Sequence, residues 1–235
     1  MTYSSQFFSN YLEETRITFD NLQHFPDITS AISGHGYPEA RLNTGKDFHT
    51  TFDSLSHQYL DRRQSARTKG KEMVKKFVEI TARYRSHVNR LKKEFILDHE
   101  VSTQLGLTLP MDRRRAGFIV QVTSFYNKAL TNPNIFEKLQ LLGYTQESIE
   151  QDRRCVVEYQ ALRSEREKVW GECQELVEKR DKAYRDLKIW IDAFIATCKF
   201  VFAENPQMLE KIGIFILNRP RRSKKQESEG DSTQS

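Results

Sequence analysis

The sequence predicts an all-α protein made of two tandem helical units, and three observations predict it. The chain of 235 residues is 37% apolar and 29% charged, with ten glycines and six prolines, a profile of long helices with wide solvated faces. Apolar residues recur at helical spacing through long proline-free spans. The chain also matches itself, without a gap, at one constant offset, position n falling on position n + 107.

The self-match sets the organisation. It superposes Pro26 on Pro133, Ile28 on Ile135, Gly36 on Gly143, Tyr37 on Tyr144, Phe52 on Tyr159, Phe77 on Tyr184 and Phe95 on Phe202, and closes with Gly106 on Gly213. It delimits two units, 4–109 and 111–216, and leaves a basic, then polar tail at 217–235 too poor in apolar residues to fold.

Each unit opens with a helix of about 20 residues, carrying Phe8, Tyr11, Leu12, Phe19 and Leu22 in the first and Phe118, Val122, Phe125 and Ala129 in the second. Pro26 and Pro133 suit the first turn of a short helix, and Gly36 and Gly143 suit its left-handed cap. Pro38 and Thr145 then start the next helix, as first-turn residue and N-cap.

That third helix is the unusual element. Phe48, Phe52, Leu55, Tyr59, Ala66, Met73, Phe77, Ile80, Tyr84, Val88, Leu91 and Phe95 fall in a sector of roughly 80°, the seam of a bundle or coiled coil. Cys155, Tyr159, Leu162, Trp170, Cys173, Val177, Tyr184, Leu187, Ile191, Ile195, Cys198 and Phe202 fall in one of roughly 100°. This phase continuity predicts two unbroken helices of about 55–60 residues, in an elongated arrangement, over hairpins broken near Gly70 and Gly171. Each seam is weak in its middle, at Arg62, Lys69, Arg166 and Arg180. The short helices cover about a third of a long one, so the rest must meet the other long helix, a second copy or another partner. A homodimer is the economical solution, with Tyr59, Ala66, Met73, Trp170, Cys173, Val177, Met208 and Leu209 as candidate partner or oligomer contacts.

Motifs that carry chemistry are scarce. The Glu-x-x-His pattern of di-iron bundles is absent, and His24, His35, His49, His57, His87 and His99 are scattered without ligand spacing. Cys155, Cys173 and Cys198 lie on the inner stripe, where a thiol behaves as a small apolar group. "LNTGKDF" lacks the leading glycine and trailing hydroxyl residue of a phosphate loop. The expectation is therefore no catalytic residue, no metal and no cofactor. Three widely spaced cysteines, no apolar run of membrane length and an acidic start without a signal pattern point to a cytoplasmic protein.

Charge is more informative. Residues 61–93 hold twelve Lys or Arg and three Asp or Glu, whereas 147–182 hold eight basic and ten acidic residues. Basic helix against acidic helix in register is one explanation; binding nucleic acid or an anionic membrane is another. Candidate anion-binding residues are Arg62, Arg63, Arg67, Lys75 and Lys76, with Arg219, Arg221, Arg222, Lys224 and Lys225 in the tail. Two Asn-Pro motifs, at Asn132 and Asn205, read as N-caps followed by a first-turn proline, the second able to present Met208 and Leu209 to a partner. Together these features predict a non-enzymatic helical scaffold or assembly protein working through self-association and protein contacts along its long helices. The alternative is a binder of nucleic acid or anionic membrane using 62–93 and 219–225.

Overall fold

The computed structural model describes residues 4–214. Among them are eight α-helices and no strand: α1 (Ser5–His24), α2 (Pro26–Ser33), α3 (Glu39–Glu94), α4 (His99–Gln104), α5 (Arg115–Thr131), α6 (Pro133–Leu141), α7 (Gln146–Val201) and α8 (Gln207–Lys211). The protein is all-α. The long helices α3 and α7 are unbroken, each of 56 residues. Their first residues, Glu39 and Gln146, and their last, Glu94 and Val201, are themselves paired by the sequence self-match. Gly70 and Gly171 sit within them as helical residues, so the hairpin alternative is excluded. None of these helices is long and apolar enough to cross a membrane.

Local signals do what the sequence suggests except at Pro38, which stands just before the first helical residue Glu39 and not within the first turn, and at Asn205. Pro26 and Pro133 occupy the first turns of α2 and α6, where a missing N–H costs nothing. Gly36 and Gly143, at φ 87° and 83°, then let the chain turn back. Their successors Tyr37 and Tyr144 donate N–H groups to Ile32 O and Leu139 O, five residues earlier, a bond that needs the left-handed residue before it. The pattern recurs after α4 and α8, at Leu107 and Ile214. Thr145 caps α7 through its hydroxyl, which accepts from Ser148 N–H at 3.1 Å. Asn132 caps α6, its side chain accepting from Ile135 N–H. Asn205 does not cap α8: Pro206 takes that position, and no side chain closes the helix. At five residues, α8 is held by burial of Leu209 and Ile212.

Packing follows groups other than the two sequence units. Among the described residues, one compact unit joins 4–56 to 180–214; the second comprises 57–179. The first packs α1, α2, the start of α3, the end of α7 and α8 around Phe8, Phe52, Ile32, Leu187, Phe194 and Cys198. Its Arg180, only 8% exposed, is made tolerable in the seam by Asp181, whose Oδ1 accepts from the guanidinium at 2.7 Å, and by the Phe8 ring, 4.4 Å away at its centroid. The second packs the rest of α3, α4, α5, α6 and the start of α7 around Ile80, Tyr84, Leu91, Val122, Leu139 and Val156. In each unit a stretch of α3 runs antiparallel to a stretch of α7. Phe52 meets Tyr184 in the first unit and Phe77 meets Tyr159 in the second, so residue numbers across the pair sum to about 236 in both.

Candidate interaction surface

Within the second unit the α3/α7 pair has two different flanks. One is closed by ion pairs: Arg62–Glu172, Lys69–Glu165, Lys76–Glu158 and Arg83–Asp152. The α3 members are seven residues apart, so all four stand on one edge of the helix, the heptad logic of a coiled coil. Four of the twelve cations in 61–93 are thus answered by α7 carboxylates, and basic against acidic helix in register is realised within the chain. Arg62, Lys69 and Lys76 face water or a half-exposed partner, so each such pair supplies register more than stability.

The other flank is open. Over residues 57–79 of α3 the only buried side chain is Ala66, and over 160–179 of α7 only Val169 and Cys173 are buried. Small side chains set the helices close, and the larger Trp170 indole lies at the rim, 49% exposed. A groove of about 650 Å³ runs there, lined by Arg67, Gly70, Lys71 and Val74 from α3 and Arg166 and Trp170 from α7. Gly70 deepens it: a Cβ at that position would sit 3.3 Å from Arg166 Nε. Leu60, Val74 and Val78 are exposed along the same edge of α3.

The candidate partner residues therefore divide. Ala66, Cys173 and Leu209 are buried within the chain, and Tyr59, Met73, Val177 and Met208 are partly covered. Of the eight, Trp170 alone is classed as exposed. Within each unit α3 and α7 cover part of each other's seam. Among the anion candidates, Arg62 and Lys76 are engaged by Glu172 and Glu158, Arg67 lines the groove, and Arg63 and Lys75 lie outside it. Arg219, Arg221, Arg222, Lys224 and Lys225 lie outside the described residues. Sequence reasoning passed over Lys71, Val74 and Arg166 as groove residues. The available signal was a secondary edge on α3, at 60, 67, 71, 74 and 78, spanning roughly 60° of the wheel beside the main stripe.

The second unit also buries a charge network. Asp152, 8% exposed, accepts hydrogen bonds from Arg83 Nη1 at 2.6 Å and pairs with His87 Nε2 at 2.8 Å. His87 Nδ1 lies 3.2 Å from the Tyr144 hydroxyl, and Arg90 stacks over the Tyr144 ring while donating to Leu142 O. Burial pushes the Asp152 carboxyl up, but the bonds from His87 and Arg83 outweigh it and hold the group below the usual carboxylate range. An acid, an imidazole and a hydroxyl in series resemble a catalytic relay in order alone. The void beside them, lined by His87, Leu91, Tyr126 and Tyr144, measures about 10 Å³, room for at most one water. The network locks α3 to α7 and to the turn before it.

Other candidate chemistry is likewise absorbed by packing. Cys155, Cys173 and Cys198 are free and buried, and burial pushes all three thiols up, Cys198 to about 12, away from the thiolate needed for nucleophilic or redox work. Among the described residues no group of His, Cys, Asp and Glu is arranged to hold a metal. In the first unit a hollow of about 500 Å³ opens between α2 and the start of α3, lined by Thr29, Ser30, Ser33, Asn43 and Lys46. The self-match does not preserve this lining: Thr29, Ser30 and Ser33 fall on Phe136, Glu137 and Gln140.

The chain matches no protein-family model, no curated protein and no solved structure.

Proposed function

We propose that the protein is a non-enzymatic helical scaffold, working through protein–protein contacts along its long helices. The observation that carries this reading is the open flank of α3 and α7 in the second unit, where Leu60, Val74, Val78 and Trp170 remain exposed while the opposite flank is closed by ion pairs. Exposed apolar residues gathered on one edge, rimmed by charge, mark an interaction site rather than ordinary surface scatter. Against an enzymatic reading stands the use of the most reactive-looking groups, Asp152, His87 and the three cysteines, as packed structural elements.

The test is photo-crosslinking in cells, with a benzophenone side chain placed at Val74 or, as control, at exposed Glu175 on α7. Discrete protein adducts from position 74 and not from 175 support the scaffold. Adducts to nucleic acid, or none from position 74, would overturn it. Self-association is read in the same preparation from the adduct mass, since a dimer gives a product of twice the 27.7 kDa chain.

A further inference from the structure

We infer that the groove on the open flank of the second unit is a docking site for an acidic amphipathic helix from another protein, a specification that rests on the scaffold reading above. Charge is the first argument. Arg67, Lys71 and Arg166 line the groove, no carboxylate does, and none of the three makes an ion pair among the described residues. Four other α3 cations in this unit have found α7 carboxylates, so the chain has matched charge on one flank and left it unmatched on the other. A partner that buries Val74 and Trp170 must bring acid groups to these cations, because covering an unpaired cation with apolar surface is costly.

The shape of the occupant follows from the length of the open lane and from what borders it. From Phe77 onward α5 runs beside α3 in the same direction. Its Phe118 packs on Phe77 and Tyr84, Phe125 on Tyr84, and Tyr126 on His87. Met111, Asp112 and Arg113, just before α5, share a hollow with Phe77, Thr81 and Arg85 of α3. Thr81 and Arg85 occupy the same edge of the helical wheel as Arg67, Gly70 and Val74. The segment leading into α5 therefore borders this lane at Thr81 and Arg85, and over 64–74 the lane is open. That stretch is about 15 Å long, matching three turns of helix. A single-stranded nucleic acid would use several ring faces in succession, and the groove offers one, Trp170.

Trp170 supplies the readout, because its half-exposed indole contrasts with the 8% exposure of Trp190, the other tryptophan. The probe is a synthetic 16-residue helical peptide with leucines at helical spacing flanked by glutamates, compared with the same peptide bearing lysines. In the full chain, the glutamate peptide should shift Trp170 emission to the blue, with binding that weakens severalfold between about 50 and 300 mM salt. Arg67→Glu with Lys71→Glu should weaken it at least about tenfold and gain affinity for the lysine peptide, a reversal that misfolding cannot produce. Equal binding of both peptides, or of neither, overturns the inference. So does masking of Trp170 by oligo-dT in place of the peptide, or by a second copy at higher protein concentration. If position 74 still crosslinks to proteins while the glutamate peptide fails, the scaffold stands and only the acidic helix falls.

Discussion

Around Asp152 the second unit buries a set of charges; at the positions paired with them by the self-match, the first unit buries rings. Asp152, Arg83, His87 and Tyr126 correspond to Gly45, Trp190, Phe194 and Phe19, and Tyr144 to Tyr37. The Trp190 and Phe194 rings stack at 5.2 Å and 13°, Tyr37 meets both edge-on, and Phe19 tilts against the indole. Gly45 makes this possible, since a Cβ there would lie 2.5 Å from a Trp190 ring carbon. Equivalent helical positions thus hold a salt-bridged set in one unit and an aromatic one in the other. The aromatic set leaves the Tyr37 hydroxyl and Trp190 Nε1 buried without partners, whereas His87 answers the Tyr144 hydroxyl.

Exchanging single members of the two sets tests whether each depends on its own partners. Gly45→Asp puts a Cβ into the Trp190 ring and a carboxylate where no cation waits, so a loss of more than about 4 kcal/mol is expected in urea unfolding. Adding Trp190→Arg and Phe194→His should restore about 2 kcal/mol or more through coupling. Tolerance of Gly45→Asp alone within about 1 kcal/mol would dissolve the comparison. On the other side, Asp152→Ala strands Arg83 and His87. Because Arg83 keeps contact with water, the expected loss is about 2 kcal/mol, below that of a fully buried pair.

The same carboxylate carries a pH signature. Its folded pKa lies below the ordinary value of about 3.9, so its contribution is complete above that pH and is lost as pH falls through the folded pKa. The stability difference between the wild type and Asp152→Asn should therefore shrink below about pH 4 and stay flat from 5 to 6. A difference that grows in acid would contradict the pairing. Smaller again, Tyr144→Phe should cost about 1 kcal/mol, while Tyr37→Phe should be neutral or slightly stabilising, because only the former hydroxyl has a partner. Last, Lys69→Ala on the exposed ladder should leave the thermal unfolding midpoint nearly unchanged.

How much of this could be read beforehand depends on the range of the interaction. The bounds of α3 and α7, the prolines opening α2 and α6 and the glycines closing them rest on local chemistry, and all were legible. The acidic and basic bias of the long helices was legible too, but its use within one chain depended on their antiparallel register. Trp170 illustrates the limit. Its wheel position puts it in the seam, yet Ala66, Val169 and Cys173 are the residues buried there and Trp170 stays half-exposed at the rim, an outcome set by two helices together. His87 read as an ordinary boundary histidine because its partners, Asp152 and Tyr144, are 65 and 57 residues away. Asn205 failed as a cap because Pro206 itself took the capping place.

The division of the chain into 57–179 and its flanks bears on biosynthesis. The middle stretch is contiguous, so on a ribosome its helices can close on one another as soon as they clear the exit tunnel. The opening helices have no such option: Phe8 and Phe52 must wait for Tyr184, made only after the whole middle stretch, before their rings have its ring to pack on. During that interval α1 and the start of α3 can pack only on one another, Phe8 on Phe52, and the apolar face that meets α7 stays uncovered.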